Sequence, residues 1–166
     1  MDSRPDAGTR PEFRVGSGWD SHAFAPGRKL WLGGIKIEHT LGLAGHSDGD
    51  VLLHAICDAL LGAIGEGDIG THFPPGEARW RDAASSVFLR HAAQLVHRAG
   101  WTITNVDTTL ILEQPRIGPL RETLRESVAG LLGIADGRVS VKAKTPEGMG
   151  TAGAAIAQAT VLLQRG

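Results

Sequence analysis

The run His46 to Ile64, HSDGDVLLHAICDALLGAI, is the feature that most narrows what this chain can fold into. Leu53, Ile56, Leu60 and Ile64 recur at three- and four-residue steps, which predicts an apolar helix that must be covered on much of its surface. Asp50, His54 and Asp58 interrupt it at four-residue spacing and so share one face. Buried polar groups without partners cost about 1–3 kcal/mol each, so other parts of the chain must answer this stripe. The start of the run holds Ser47, Asp48 and Asp50, all residue types that cap helices. Two readings stand open from the stretch alone. It is either a core helix whose His54 bonds to Asp50 or Asp58, or a helix whose free N-terminus, beside His46, seats a phosphate.

A chain of 166 residues is the size of one domain and long enough to bury a core without staples. Residues 1–12 carry two prolines, a glycine and mixed charges and read as a disordered tail, leaving residues 13–166 as a single domain. One cysteine, Cys57, excludes an intrachain disulfide or a cysteine-rich zinc site and suits a reducing, cytoplasmic setting. Lys and Arg total 17 against 18 Asp and Glu, with no long basic run, which speaks against nucleic-acid binding. No run approaches the roughly 20 apolar residues of a membrane span, and the polar N-terminus lacks a signal-peptide pattern.

In chain order, RVGSGWDSHAF predicts a glycine-interrupted strand after Phe13, with Asp20 and His22 on one side and Ser21 on the other. Leu30 to Ile37, broken by Gly33 and Gly34, reads as a hairpin arm. A long loop from Gly65 to Arg81 precedes a second helix, expected over Asp82 to Ala99, whose His91 and His97 read as ordinary helix residues. Thr104 to Leu112 alternates as a strand. Leu120, Leu124, Val128 and Leu131 mark a third helix, and Arg138 to Thr145 a further strand. Lys142 and Lys144 share a face of that strand, either as paired positive charge for a ligand or as a solvated sheet face. TPEGMGTAG, holding Glu147, is a glycine-rich loop, and Ala155 to Leu163 fits strand or helix. This order predicts an α/β (α+β) two-layer sandwich, a small mixed sheet with helices on one face and its other face free for an oligomer.

The chemistry-bearing residues converge on one theme. Asp20, His22 and His54 offer two nitrogens and a carboxylate, a donor set that suits zinc with an open fourth position. Asp50 or Asp58 would orient the His54 ring. Glu147 suits a hard divalent ion shared with substrate phosphates. A helix N-terminus, two metals and Lys142 with Lys144 would meet the needs of phosphoryl transfer, which are positioning and charge neutralisation.

The segments GWDSHAF, LAGHSDGDVLLHAICDALLGAIGEGDIGTHFP, NVDTTLILEQPR and VSVKAKTPEG resemble the 2-C-methyl-D-erythritol 2,4-cyclodiphosphate synthase family, in order from about Phe13 to the C-terminus. The resemblance implies a homotrimer with interfacial active sites and a cytidine diphosphate-linked substrate, 4-diphosphocytidyl-2-C-methyl-D-erythritol 2-phosphate, cyclised with release of CMP. It implies zinc on Asp20, His22 and His54, and a second divalent ion, magnesium or manganese, on Glu147. His46 and Thr145 match residues that stabilise the transition state, and Ser47 lies beside the substrate phosphate. Asp68, Ile69 and Gly70 match the segment at the sugar parts of the substrate. The loop from Leu112 to Gly118, with Pro115, matches the wall of the cytosine pocket, contributed by a neighbouring subunit, and Lys144 matches a substrate-binding residue. The family's final segment is a strand, which assigns Ala155 to Leu163.

Two stretches depart from the family pattern. GTAGAA, Gly150 to Ala155, lacks the arginine and aromatic that members place at the trimer axis, so an isoprenoid diphosphate pocket there is expected to be altered or absent. Phe73-Pro74-Pro75-Gly76-Glu77 lacks the two aspartates of the family's loop. A zinc-dependent phosphohydrolase of a nucleotide-linked substrate is the alternative chemistry, and a non-catalytic trimer that binds nucleotide and metal is a third reading.

Overall fold

The computed structural model describes residues 11–166. The proposed tail therefore lies almost wholly outside the described residues, and the first strand, β1 (Glu12–Pro26), starts one residue before the expected boundary. A hairpin of β2 (Leu30–Leu32) and β3 (Ile35–Ile37) follows, turning at Gly33 and Gly34, both with positive φ. Next come β4 (Leu41–Leu43), α1 (Val51–Ile64), a short α2 (Ile69–His72) and α3 (Ser85–Arg98). The chain closes with β5 (Thr102–Ile111), α4 (Arg121–Leu132), β6 (Val139–Lys144) and β7 (Ala154–Arg165).

Five strands form one mixed sheet in the order β4-β1-β7-β5-β6. β5 and β6 run parallel, joined through α4, as parallel neighbours require a crossover. The other pairs in the sheet are antiparallel. Alternation decides which side is covered: Ala155, Ala157, Ala159, Val161 and Leu163 of β7 are buried, as are Val106, Thr108 and Leu110 of β5 and Val139 and Val141 of β6. The opposite face exposes Phe13, Val15 and Trp19 of β1, the last two 67% and 60% exposed. The two-layer sandwich with helices on one face is thus the observed architecture.

Small residues let α1 lie unusually close to the sheet. Ala55, Ala59 and Ala63 repeat every four residues along α1 and are buried. Opposite them on β1 stand Gly16 and Gly18. A Cβ at Gly16 would lie 1.9 Å from the Ala59 carbonyl oxygen, and one at Gly18 would lie 1.9 Å from that of Ala55. The alanines of β7 continue this shallow floor. Around it α1 buries Val51, Leu52, Leu53, Ile56, Leu60 and Leu61 completely. The apolar pattern seen in the sequence is therefore that of a helix enclosed by sheet and neighbouring helices.

The elements also differ from the sequence reading in larger ways. The second helix begins at Ser85, because Asp82 sits at φ +56°, outside helical space, with its N–H donated to the His46 carbonyl. The segment 65–81 is not all loop, since it holds α2 and a 3-10 turn at Ala78–Trp80. β4 went unread; its three residues, paired to Phe24–Pro26, are too few to show a period.

Gly18→Ala is expected to destabilise the fold by about 3 kcal/mol, since the new methyl would strike backbone that cannot rotate away. Chemical denaturation checks this, with Ser17→Ala on the exposed face expected to shift stability by no more than about 0.5 kcal/mol.

Candidate active site

The close seating of α1 brings His54 against β1, where Asp20 and His22 project toward the helix as the strand's alternation demands. The donor atoms of the three residues converge. Asp20 Oδ2 lies 2.8 Å from His22 Nε2 and 3.0 Å from His54 Nδ1, and the two ring nitrogens are 3.2 Å apart. A tetrahedral ion with bonds of about 2.0–2.1 Å holds its donors roughly 3.3 Å apart, so these residues fit such an ion with little adjustment. Among the described residues no other group of three or more His, Cys, Asp and Glu side chains meets in this way.

Hydrogen bonding orients the same donors. The Ala44 carbonyl sits 2.5 Å from His22 Nδ1 and can only accept, so that nitrogen carries a proton and Nε2 is the one left to face an ion. Burial acts to raise the Asp20 pKa, but hydrogen bonds from His22 and His54 prevail and hold the carboxyl at about 2. Burial opposes a charged His22, yet the bond to Asp20 outweighs it and its pKa is raised. The cluster thus supplies one anionic and two neutral-capable donors, as a divalent cation prefers.

The cluster opens into a cavity of about 170 Å³ lined by His22, His46, Ser47, His54, Ile69, Gly70, Phe73, Pro75, Trp80 and Phe88. His46 is exposed and Ser47 buried. Phe73, Phe88 and Trp80 form an aromatic wall, with ring centroids 4.3 Å apart for Phe73 and Phe88 and 5.0 Å for Phe73 and Trp80. Sequence reasoning missed this wall because its members are scattered over 73–88 with no shared period. Asp68 stays at the surface and caps α2 through Thr71 N, which sets the following Ile69 and Gly70 at the cavity.

The polar stripe of α1 is answered differently from either opening alternative. Asp50 is fully buried and accepts from the backbone N–H groups of Leu53, Gly33 and Gly34. It therefore caps α1 and ties the β2–β3 turn to it, and burial drives its pKa up against those three donors. The first turn of the helix is thus occupied by the chain's own carboxylate. Asp58 accepts from Ile69 N, and burial raises its pKa. Neither carboxylate bonds to His54; its Nε2 instead lies 2.8 Å from Ser85 Oγ and 3.2 Å from Ser47 Oγ. Arg28 steadies the loop, donating from Nε to the Leu43 carbonyl at 2.6 Å and from its terminal nitrogen to that of Ser47.

The remaining expected residues gather elsewhere. Thr145 donates to Glu147, whose backbone is at φ +49°, and both line a cavity with Glu113, Arg116 and Pro146. Pro115, Lys144 and Thr145 line an adjoining one with Leu112, Ile117 and Gly118. Lys142 is taken up by Asp107, 2.6 Å away, so the two lysines do not act as a pair. Sheet register puts both groups at the same end of the sheet, since Asp20 aligns with Ala157, that with Leu110, and that with Ala143. Three strand spacings separate them, about 14 Å. Within one chain the Asp20, His22 and His54 cluster and the Glu147 loop do not meet.

Comparison with known proteins places this geometry. The YgbB family model matches residues 13–164. The chain is 51% identical over 156 residues to a 2-C-methyl-D-erythritol 2,4-cyclodiphosphate synthase of Xanthomonas oryzae pv. oryzae, covering 92% of this chain and 96% of that protein. It is 55% identical over 154 residues to a bifunctional enzyme IspD/IspF of Erythrobacter litoralis, covering 90% of this chain but only 40% of that longer protein. Among solved structures, the bifunctional IspDF of Campylobacter jejuni superposes with a TM-score of 0.90 at 34% identity, over 95% of this chain and 43% of that one. IspF of Plasmodium falciparum in complex with CDP superposes with a TM-score of 0.80 at 36% identity, over 91% of this chain and 95% of that one. With matches of this extent, the chain belongs to the YgbB family, among the 2-C-methyl-D-erythritol 2,4-cyclodiphosphate synthases.

Proposed function

We propose that this chain cyclises 4-diphosphocytidyl-2-C-methyl-D-erythritol 2-phosphate to 2-C-methyl-D-erythritol 2,4-cyclodiphosphate with release of CMP, in non-mevalonate isoprenoid precursor synthesis. The observation that carries the reading is the convergence of Asp20, His22 and His54 beside His46 and Ser47, in a chain of this family. The CDP complex of the Plasmodium falciparum relative supports a cytidine diphosphate-linked substrate. The lone, buried Cys57 accords with a reducing, cytoplasmic setting.

In this reading Asp20, His22 and His54 hold zinc, and Glu147, steadied by Thr145, holds a second divalent ion, magnesium or manganese. When bound, the two ions supply Lewis-acid polarisation of a phosphoryl oxygen and neutralisation of the diphosphate charge. An oxygen of the 2-phosphate forms the new bond to the β-phosphorus. The bond from that phosphorus to the bridging oxygen breaks, and the bridging oxygen leaves on CMP with the electron pair. No protein base is required, because the attacking oxygen is already ionised near neutral pH. His46, Ser47 and Thr145 donate hydrogen bonds to phosphate oxygens as charge moves. Asp68, Ile69 and Gly70 position the methylerythritol, and Pro115 and Lys144 the nucleotide end. Holding nucleophile and phosphorus in line contributes about 7–11 kcal/mol. The aromatic wall of Phe73, Trp80 and Phe88 keeps water away from the reacting phosphorus, which favours ring closure over hydrolysis.

The reading also requires a partner copy. The two residue groups stand about 14 Å apart on one chain, and the apolar face with Phe13, Val15 and Trp19 is exposed. A homotrimer packed through that face would set the Thr145–Glu147 edge of one subunit over the zinc cluster of the next, giving active sites between subunits. Residues 13–166 serve as one domain in that assembly.

Phosphorus NMR of the cytidylated substrate with zinc and magnesium is expected to show the cyclic diphosphate and CMP, and no product after chelation. Separate monophosphates as products would establish the phosphohydrolase instead. His54→Ala is expected to lose stoichiometric zinc, measured by metal analysis of the purified protein; zinc retained one per chain refutes the ligand assignment. Co-refolding equal amounts of the inactive variants His54→Ala and Glu147→Ala should restore activity to about a quarter of wild type, the fraction of interfacial sites that receive both intact halves. An inactive mixture of verified trimers would show that the site is not shared between subunits.

A further inference from the structure

We infer that Ser85 and Asp48 form a directional hydrogen-bond relay that fixes which nitrogen of His54 faces the metal, making both positioning residues for the third ligand. The inference rests on the proposed metal site and extends it to residues outside the ligand set.

The direction follows from what each group is able to do. The Asp48 carboxylate has no proton to give and accepts from both the Ser85 hydroxyl and the Ser85 backbone N–H, the latter at 3.0 Å. With its one proton committed to Asp48, Ser85 Oγ can only accept at its other contact, His54 Nε2 at 2.8 Å. His54 Nε2 is therefore held as an N–H, and once an ion replaces the hydrogen bond from Nδ1 to Asp20, Nδ1 is the nitrogen left to offer its lone pair. With an ion bound, the opposite tautomer would place the N–H at the ion and two lone pairs against each other at Ser85. His22 is fixed by the Ala44 carbonyl in the same manner, through one bond instead of two.

The relay is anchored from outside α1. Ser85 is fully buried as the first residue of α3. Asp48 lies on the loop before α1, and by accepting from Ser85 N it caps α3 from a distant part of the chain, where the helix dipole favours its charge. Asp48 N also donates to the Ala83 carbonyl, and Asp82 N to that of His46, so the two loops are stitched by backbone as well. Ser47 Oγ, at 3.2 Å from His54 Nε2 and 3.5 Å from Ser85 Oγ, is a weaker contact of the same nitrogen.

Zinc affinity measured by competition with a chromogenic chelator tests this, with thermal melting of the metal-free proteins as the control for folding. Ser85→Ala removes the acceptor and keeps the backbone cap; zinc affinity is expected to fall about 10–100-fold with little change in the melt. Ser85→Thr retains the hydroxyl and is expected to restore affinity to near wild type. Cobalt substitution gives a second readout, with the visible ligand-field bands shifted in Ser85→Ala and recovered in Ser85→Thr. If Ser85→Ala destabilises the apo fold, the Thr variant and Asp48→Asn, whose amide can donate as well as accept and so removes the fixed direction, are read instead. Wild-type zinc affinity and an unshifted cobalt spectrum in Ser85→Ala or Asp48→Asn overturn the relay, as does an equal loss in the Ala and Thr variants. Failure of the wild-type chain to bind zinc would overturn the metal site itself, a separate result.

Discussion

The close contact between α1 and β1 is the constraint on which the rest depends. Gly16 and Gly18 leave no side chain between the strand and the Ala59 and Ala55 carbonyls. Had larger residues stood there, helix and sheet would sit at the usual separation of about 10 Å set by interleaved side chains. His54, one residue before Ala55, would then hang too far from Asp20 and His22 for the three donor atoms to share a centre. The same glycines precede Asp20 and His22 on one face of β1, so a single period-two pattern sets both the spacing and the donors. Core packing and site geometry are thus one property of this chain.

Much of this was legible beforehand because it is written in short periods. The helices showed their faces and the strands their alternation, while residue chemistry offered Asp20 and His22 as a local pair and the family resemblance joined the remote His54 to them. What escaped was non-local. The capping type of Asp48 and Asp50 was visible, yet their partners, Ser85 in one case and the Gly33–Gly34 turn in the other, lie 37 and 17 residues away. Sequence reading assigned Asp50 or Asp58 to His54 because all three share a helix face; in the fold each carboxylate finds backbone N–H groups that hold it more firmly. Ser85 carried one usable signal, a small hydroxyl residue at a helix start, and it was obscured by placing that start at Asp82. The proposed substrate came from family resemblance, since no spacing rule specifies a cytidylated sugar alcohol.

The loops around the cluster behave as a braced frame. Arg28 fastens Ser47, Asp50 fastens the hairpin turn, Asp48 fastens α3, and Asp58 fastens Ile69. Each uses a charged side chain on backbone groups, which are stronger than neutral hydrogen bonds and do not depend on the partner's side chain. The cavity walls are thereby set by main-chain geometry. Substitutions at many of the surrounding positions can alter the lining without loosening the donors.

The separation of the two residue groups along the sheet has a consequence for how such a protein diversifies. The cavity at Pro115, Lys144 and Thr145 shares no lining residue with the one at His22, His46 and His54, and the strands that carry them are not neighbours. Changes that reshape the lining of one cavity need not disturb the other. The two cavities hang on separate strands of one sheet, so each can drift under its own selection while a single gene encodes both.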